Sequence, residues 1–102
     1  MQIQADYRNG IIYMHLSGEI DEHNAAAARS RADRLADEHA SSEKAVFDLS
    51  QVSFMDSTGI GFLIGRYKKF RRYGIPVYLT NPSLNTDKIL QMSGVYTLMP
   101  KI

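Results

Sequence analysis

The stretch DLSQVSFMDSTGIG, residues 48–61, decides the fold, because a buried strand passes into a helix within it. Residues 45–49 have the pattern of a short buried strand, and residues 52–55 extend it or follow it as a connector. The apolar spacing over residues 57–73 is typical of a helix. Asp56 or Ser57 can cap that helix by accepting a hydrogen bond from a free backbone N–H. The stretch therefore predicts a strand-to-helix junction that holds a hydroxyl at the start of the helix.

Outside this junction, strand and helix patterns alternate along the chain. Residues 2–7 and 11–16 alternate in polarity around Asn9-Gly10, which is a strong hairpin-turn signal. The further predicted elements are a helix over 21–39, a strand over 75–79, a helix over 87–92 and a strand over 96–99. The order ββαβαβαβ indicates an α/β fold with a mixed sheet of four to five strands and helices packed on it. The length of 102 residues indicates a single domain over residues 1–102.

Composition and charge exclude several classes of function. The formal net charge is +1, so no global field attracts nucleic acid or an acidic membrane. The chain has no cysteine, which removes disulfides, thiolate chemistry and cysteine-based metal sites. No apolar run has the roughly 18 residues that a membrane span needs, and residues 1–4, MQIQ, lack the features of a secretory signal. We therefore expect a cytoplasmic domain that binds neither nucleic acid nor membranes.

Ser57 has two interpretations from the residue types alone. In the first, its hydroxyl is only part of a helix cap. In the second, the exposed hydroxyl accepts a phosphate, which the free N–H groups and the dipole of the helix stabilise. A phosphate at this position adds a charge of about −2 to the surface and can repel a binding partner without unfolding the helix.

Motifs for catalysis, nucleotide binding and metal binding do not fit this region. A hydrolase elbow needs a glycine two residues before the nucleophile, where this chain has Met55. The three histidines have no short ligand spacing and lie early in the chain. The glycine spacing misses the dinucleotide and P-loop patterns, and close helix packing better explains Gly59, Gly61 and Gly65. We expect no catalytic residue, no metal and no cofactor.

A cluster of cations lies near the end of the second helix. Arg66 and Lys69 share a face with Phe62, and this face differs from the apolar stripe that we expect to pack on the core, namely Ile60, Leu63, Ile64, Tyr67 and Phe70. An aromatic side chain partly outside the core, with cations nearby, can anchor a protein interface. Alternatively, the cations only complement the helix dipole. On the first helix, a solvated face is expected for Asp33, Asp37 and Glu38.

Residues 48–61 resemble the signature of the STAS domain, which is shared by anti-sigma-factor antagonists and the tails of sulfate transporters. The extension LIGRYK, residues 63–68, is similar to the sporulation branch of the antagonists. Residues 16–21, LSGEID, match the family's Gly-Glu-Leu/Ile-Asp element, and residues 92–94 match its late Met-Ser-Gly. The resemblance therefore covers almost the whole chain at matching spacing.

The resemblance implies a partner-switching mechanism that regulates transcription during sporulation. The unphosphorylated antagonist binds an anti-sigma factor that is also a serine kinase, and the sigma factor is released. The kinase uses ATP to phosphorylate Ser57, the phosphorylated form dissociates, and a phosphatase resets it. The protein is then a substrate and a ligand, not an enzyme. The expected partner-binding residues are Asp21, Asp56, Ser57, Thr58, Gly59, Gly61, Phe62, Arg66 and Lys69.

Two features depart from the family pattern. Thr58 stands where the sporulation branch usually has a second serine. The chain ends at Ile102, straight after the last predicted strand, so the usual C-terminal helix is expected to be missing. Apolar surface near Val95 and Leu98 is then less covered, and we expect a monomer or a weak dimer. The alternative function is a STAS module of a general stress-signalling complex, or one that senses a nucleotide or a small anion.

Overall fold

The computed structural model describes residues 1–102 and contains four strands and four helices. The strands are β1 (Gln2–Arg8), β2 (Ile11–Glu19), β3 (Lys44–Phe54) and β4 (Val77–Thr80). The helices are α1 (Ala25–Glu38), α2 (Ser57–Arg72), α3 (Leu84–Ser93) and α4 (Val95–Leu98). None of the helices has the length and apolar character that crossing a membrane requires.

The four strands form one mixed sheet in the order β1-β2-β3-β4. β1 and β2 are antiparallel, whereas β2, β3 and β4 run parallel to one another. The predicted hairpin is confirmed, because Asn9 and Gly10 have φ angles of 53° and 79°. Two successive left-handed residues are the geometry of the two-residue turn that matches strand twist. The fold class predicted from the sequence, a mixed sheet with helices packed on it, is therefore confirmed.

One face of the sheet carries the hydrophobic core. On β2 and β3, alternate side chains are buried on this face, and they join residues of all four helices in a single cluster of 24 buried residues. Phe47 of β3 lies at its centre and contacts the rings of Phe62 and Phe70 edge-on, at 6.5 and 6.4 Å between ring centroids. Edge-to-face aromatic pairs of this kind add to the stabilisation from burial. The core therefore fixes α2 on β3, the strand that leads into it.

The end of the chain differs in detail from the sequence-based prediction. Residues 96–99 do not form a strand, because Val95–Leu98 is the short helix α4. In place of a fifth strand, Lys101 forms a single parallel β-bridge with Leu79. Gly94, with φ of 77°, ends α3 and turns the chain directly into α4. The order of elements is otherwise as predicted.

The bounds of two helices also differ from the prediction. α3 begins at Leu84, three residues earlier than expected, because the Ser83 hydroxyl accepts a hydrogen bond from the backbone N–H of Thr86 at 3.2 Å. α1 begins at Ala25, because residues 22–24 form a turn before it. Both differences concern helix starts, but only α3 begins at a side-chain cap, since Asn24 makes no capping hydrogen bond at the start of α1.

Helix α2 is rotated relative to the predicted apolar stripe. Its buried residues are Gly59, Phe62, Leu63, Arg66 and Phe70, whereas Ile60, Ile64 and Tyr67 are only half-buried. The cause is Arg66, which is 6% exposed and forms an ion pair with Asp33 of α1 at 2.8 Å. Its guanidinium also lies over the ring of Phe62, 5.2 Å from the centroid. Burial lowers the pKa of Arg66 and the charge of Asp33 opposes that effect.

A second polar contact joins the same two helices further along. Lys69 of α2 forms an ion pair with Asp37 of α1 at 2.9 Å, and the Tyr73 hydroxyl donates a hydrogen bond to the same carboxylate. The hydrogen bonds from Tyr73 and Lys69 lower the pKa of Asp37. Asp37 and Glu38 are exposed, as the sequence suggested, whereas Asp33 is half-buried. Asp33 and Asp37 both also pair with cations of α2 and so join the two helices.

Candidate functional site

The start of α2 is capped by Asp56. Its backbone is extended, and its Oδ1 accepts hydrogen bonds from the backbone N–H groups of Thr58 at 2.9 Å and Gly59 at 3.4 Å. Ser57 is the first residue of the helix, and its side chain is exposed. Of the two caps that the sequence allowed, the structure uses Asp56. The Ser57 hydroxyl is therefore free of the capping role and faces solvent.

Gly59 allows the start of α2 to pack closely against the residues that follow β2 and β3. A Cβ atom at Gly59 would lie 2.8 Å from Cγ of Met55, which is closer than real Cβ atoms approach other atoms, and 3.1 Å from Cγ2 of Ile20, which is a tight contact. Met55 and Ile20 are both buried in the core. The backbone of α2 can approach them only because residue 59 has no side chain. The sequence-based expectation of a close backbone approach is thus confirmed at this glycine.

Gly61 and Gly65 play a different part. A Cβ atom at either position would meet nothing within 4 Å. The expectation that these two glycines allow a neighbouring element of the chain to pack closely is therefore wrong. They leave an open, nearly flat strip on the outer side of α2, and Gly61 is exposed.

Asp21 lies at the same edge of the sheet as the start of α2. The pairing of Glu19 with Phe54 places the ends of β2 and β3 side by side, and Asp21 follows β2 by two residues. Its Oδ1 accepts hydrogen bonds from the backbone N–H groups of His23 at 2.9 Å and Asn24 at 3.0 Å. Asp21 therefore anchors the turn before α1, and its neighbour Ile20 contacts Gly59.

An apolar groove of about 370 Å³ runs beside Ser57, between α2 and α3. Ile60 of α2 and Ile89 of α3 are half-buried in it, while Met92 is 87% exposed. Sequence reasoning missed Ile89 and Met92, because α3 is distant from Ser57 along the chain. Ile89 and Met92 are three residues apart and lie on a different face of α3 from its buried residues, Thr86 and Leu90. This apolar spacing on a second face is the sequence signal that could have indicated an exposed apolar surface.

A second cavity of about 300 Å³ continues from this groove around Ile89. Phe54, at the end of β3, is 53% exposed, and Lys88 and Asn85 of α3 supply polar groups. The two cavities share Ile89, so α3 and the β3–α2 junction present one extended surface that is mainly apolar, with polar groups at its far end.

The predicted interface on the other side of α2 is wrong for Phe62 and Arg66. Phe62 is 3% exposed and packs on Phe47, so it cannot anchor a partner. Arg66 is equally buried against Asp33, and Lys69 is held by Asp37. The physical reason is that α1 supplies carboxylates opposite these cations, which the sequence of α2 alone does not reveal.

The histidines and carboxylates make other contacts. Nδ1 of His15 lies 2.9 Å from Oδ2 of Asp48, and Nδ1 of His39 lies 2.9 Å from the backbone oxygen of Leu35. No group of three or more histidine, aspartate or glutamate side chains is close enough to hold a metal ion. Although desolvation opposes it, hydrogen bonds from Ser50 and His15 lower the pKa of Asp48.

Comparison with known proteins gives consistent matches along the chain. A family model for the STAS domain matches residues 2–102. The chain is 32% identical over 100 residues to the anti-sigma F factor antagonist of Paenibacillus polymyxa. This match covers 98% of this chain and 85% of that protein. It is 31% identical over 84 residues to the anti-sigma-B factor antagonist of Bacillus subtilis (strain 168), covering 82% of this chain and 74% of that protein.

The fold matches solved structures of the anti-sigma factor antagonist SpoIIAA. For its unphosphorylated form the TM-score is 0.79 at 24% identity, covering 99% of this chain and 88% of that one. For the phosphorylated form, from Bacillus, the TM-score is 0.70 at 25% identity. That match covers 99% of this chain and 91% of the Bacillus chain. The same architecture is therefore found in a protein solved in both phosphorylation states.

The contrast between two glycines gives a stability prediction for the site. We expect Gly59→Ala to destabilise the fold by about 1–3 kcal/mol, because the new methyl group overlaps Met55 and Ile20. Gly61→Ala is the matched control, since its methyl group meets open space and alanine favours the helix by roughly 0.5–1 kcal/mol. Urea unfolding of both variants measures the difference, and equal midpoints would contradict the proposed close contact.

Proposed function

Because this chain belongs to the STAS-domain family, we propose that it is an anti-sigma-factor antagonist whose partner binding is switched by phosphorylation of Ser57. In its unphosphorylated form it binds an anti-sigma factor and so releases a sigma factor. The observation that carries this proposal is the position of Ser57, an exposed hydroxyl at a helix start beside an apolar groove. The whole of residues 1–102 acts as one binding domain in the cytoplasm, and it is not an enzyme.

The groove between α2 and α3 is the docking surface. Ile60, Ile89 and Met92 present apolar area that water contacts in the free protein, and such area is the usual centre of a protein interface. Ser57 lines the groove, so any partner that covers these side chains also covers the hydroxyl. Of the other residues expected to bind the partner, Asp56, Thr58 and Gly61 belong to the start of α2 next to Ser57, and Asp21 lies at the same edge of the sheet. Gly59, Phe62 and Arg66 are buried and contribute to folding instead.

Phosphorylation of Ser57 opposes docking for electrostatic reasons. The phosphate brings a charge of about −2 next to the carboxylate of Asp56 and into a groove that must lose water when a partner binds. Arg66 and Lys69 do not compensate, because they are already paired with carboxylates of α1. The helix itself tolerates the phosphate, because its dipole favours negative charge at this end.

The partner is an anti-sigma factor that is also a serine kinase. It transfers the γ-phosphoryl group of ATP to Oγ of Ser57, releasing ADP and the hydroxyl proton, and a separate phosphatase removes the phosphate. Control of a sporulation sigma factor is favoured, because the antagonist of that class matches 98% of the chain. Control of a general stress response is the second candidate, because the antagonist of sigma B is nearly as similar.

Phosphorylation is tested by incubating the protein with ATP and the anti-sigma kinase of its own organism. We expect one phosphate per chain, and peptide mass spectrometry should place it on Ser57. Ser57→Ala should accept no phosphate, whereas Thr58→Val should be modified as fast as the unaltered protein. Phosphate found on Thr58 or elsewhere in the unaltered protein would refute the assignment of Ser57.

The charge effect is tested by measuring partner affinity with isothermal titration calorimetry. Ser57→Ala should bind the unmodified anti-sigma factor as the original protein does, because the hydroxyl is small and exposed. Ser57→Asp should bind at least about tenfold more weakly, which corresponds to ~1.4 kcal/mol. If the two variants bind with equal affinity, charge at this position is not the switch.

The docking groove is tested with two exposed side chains of the same helix. Met92→Ala should lower partner affinity by about 1–2 kcal/mol, because Met92 lines the groove. Leu84→Ala is the matched control: Leu84 is 75% exposed on α3 but does not line the groove, so its loss should leave affinity unchanged. A larger effect at Leu84 than at Met92 would place the interface elsewhere on α3.

A further inference from the structure

Strand β1 forms an open edge of the sheet. It pairs with β2 on one side and has no strand on the other. The opposite edge, at β4, is covered by the end of the chain, because Leu79 donates a backbone hydrogen bond to Pro100 at 3.0 Å and accepts one from Ile102 at 2.9 Å. β1 contains neither proline nor lysine, the residues that commonly protect edge strands.

The hairpin turn determines which backbone groups of β1 point outward. In a two-residue hairpin, the residues flanking the turn, Arg8 and Ile11, exchange both of their backbone hydrogen bonds. Hydrogen-bonded pairs then recur at every second residue. The N–H and C=O groups of Ile3, Ala5 and Tyr7 therefore point away from β2, and three donors and three acceptors line the free edge.

An independent contact confirms this direction. Nε of Arg31, on α1, donates a hydrogen bond of 3.0 Å to the backbone oxygen of Ile3, which is one of the outward groups. Beyond Ile3 the edge is open: Ala5 is exposed and Tyr7 is 49% exposed. Arg31 therefore occupies one of the two lone pairs of the Ile3 carbonyl and leaves the other outward groups of the strand available for pairing.

We propose that β1 pairs with β1 of a second copy of this chain, antiparallel and centred on Ala5, to form a continuous eight-stranded sheet. In this register Ala5 faces Ala5 of the second copy, and Ile3 faces its Tyr7. Ala5 exchanges two hydrogen bonds with its counterpart. In each outer pair the N–H of Ile3 donates to the Tyr7 carbonyl, and the Ile3 carbonyl, which already accepts from Arg31, accepts the N–H of Tyr7 on its second lone pair. All seven residues of the strand then find a partner.

The side chains of β1 are complementary to themselves in this register. On the core face, Ile3 packs against Tyr7 of the second copy, an apolar–aromatic pair. On the other face, Gln4 lies opposite Asp6 and Gln2 lies opposite Arg8, so no like charges meet. A register centred on Asp6 would instead place two carboxylates face to face, which is destabilising. Complementarity therefore selects both the occupant and the register.

The proposed dimer leaves the switch surface accessible. Ser57 follows β3, which is separated from the free edge by β1 and β2. Arg31, anchored on Ile3, comes beside the ring of Tyr7 of the second copy, where a guanidinium and an aromatic ring attract each other. Each dimer thus presents two Ser57 sites that can be bound or phosphorylated separately.

The register is tested by introducing single cysteines, since the chain has none of its own. In Ala5→Cys the two Cα atoms lie about 5.5 Å apart in a hydrogen-bonded pair, within reach of a disulfide. In Gln2→Cys, the control, the two Cα atoms are separated by six residues of strand, roughly 20 Å. Under a glutathione redox buffer at low protein concentration, Ala5→Cys should give covalent dimers and Gln2→Cys should not. Equal yields would overturn the proposal.

Sedimentation of the unaltered chain provides the second test. We expect dimers to form reversibly as the concentration rises toward about 1 mM, and a monomer throughout that range would overturn the proposal.

Ala5→Pro removes an outward N–H that β2 does not use, so the variant should fold and remain monomeric. If circular dichroism shows that it does not fold, Gln4→Glu is used instead. That variant places carboxylates opposite Asp6 and should weaken dimers severalfold, while Gln4→Lys should strengthen them; no difference between the two would also overturn the register.

Discussion

The close approach of Gly59 to Met55 and Ile20 is the contact on which the arrangement of the site depends. Ile20 follows β2 and Met55 follows β3, so this one contact joins the ends of two parallel strands to the start of α2. The capping carboxylate of Asp56 lies between the strand and the helix and is positioned by the same contact. The backbone on both sides of Ser57 is held by these contacts. The Ser57 side chain faces solvent beside the groove.

A second constraint sets the rotation of α2. Arg66 is buried beside Phe62 and pairs with the half-buried Asp33, so a charged residue occupies part of the helix face that packs on the core. The helix turns accordingly, and Ile60 moves toward the surface beside Ser57. Ile60 therefore contributes apolar surface to the groove beside Ser57.

Local signals in the sequence predicted the fold well, and signals that depend on distant partners failed. The Asn9-Gly10 turn and the strand-to-helix junction at Ser57 were correctly predicted, because both follow from the preferences of adjacent residues. The last strand was misplaced, because Val95 to Leu98 are apolar enough for either structure and Gly94 turns them into a helix. For the site, the position of Ser57 followed from the sequence. The burial of Arg66 and the approach of α3 did not, because each depends on a residue more than 30 positions away.

The separation of the Asp56 cap from the Ser57 hydroxyl has an evolutionary consequence. Since Asp56 alone satisfies the free N–H groups of Thr58 and Gly59, the stability of α2 places little demand on the identity of residue 57. Selection can therefore change that residue to threonine, alanine or aspartate, and so alter or abolish regulation, while the fold persists. Duplicated copies of such a protein can diverge in how they are controlled long before they diverge in structure.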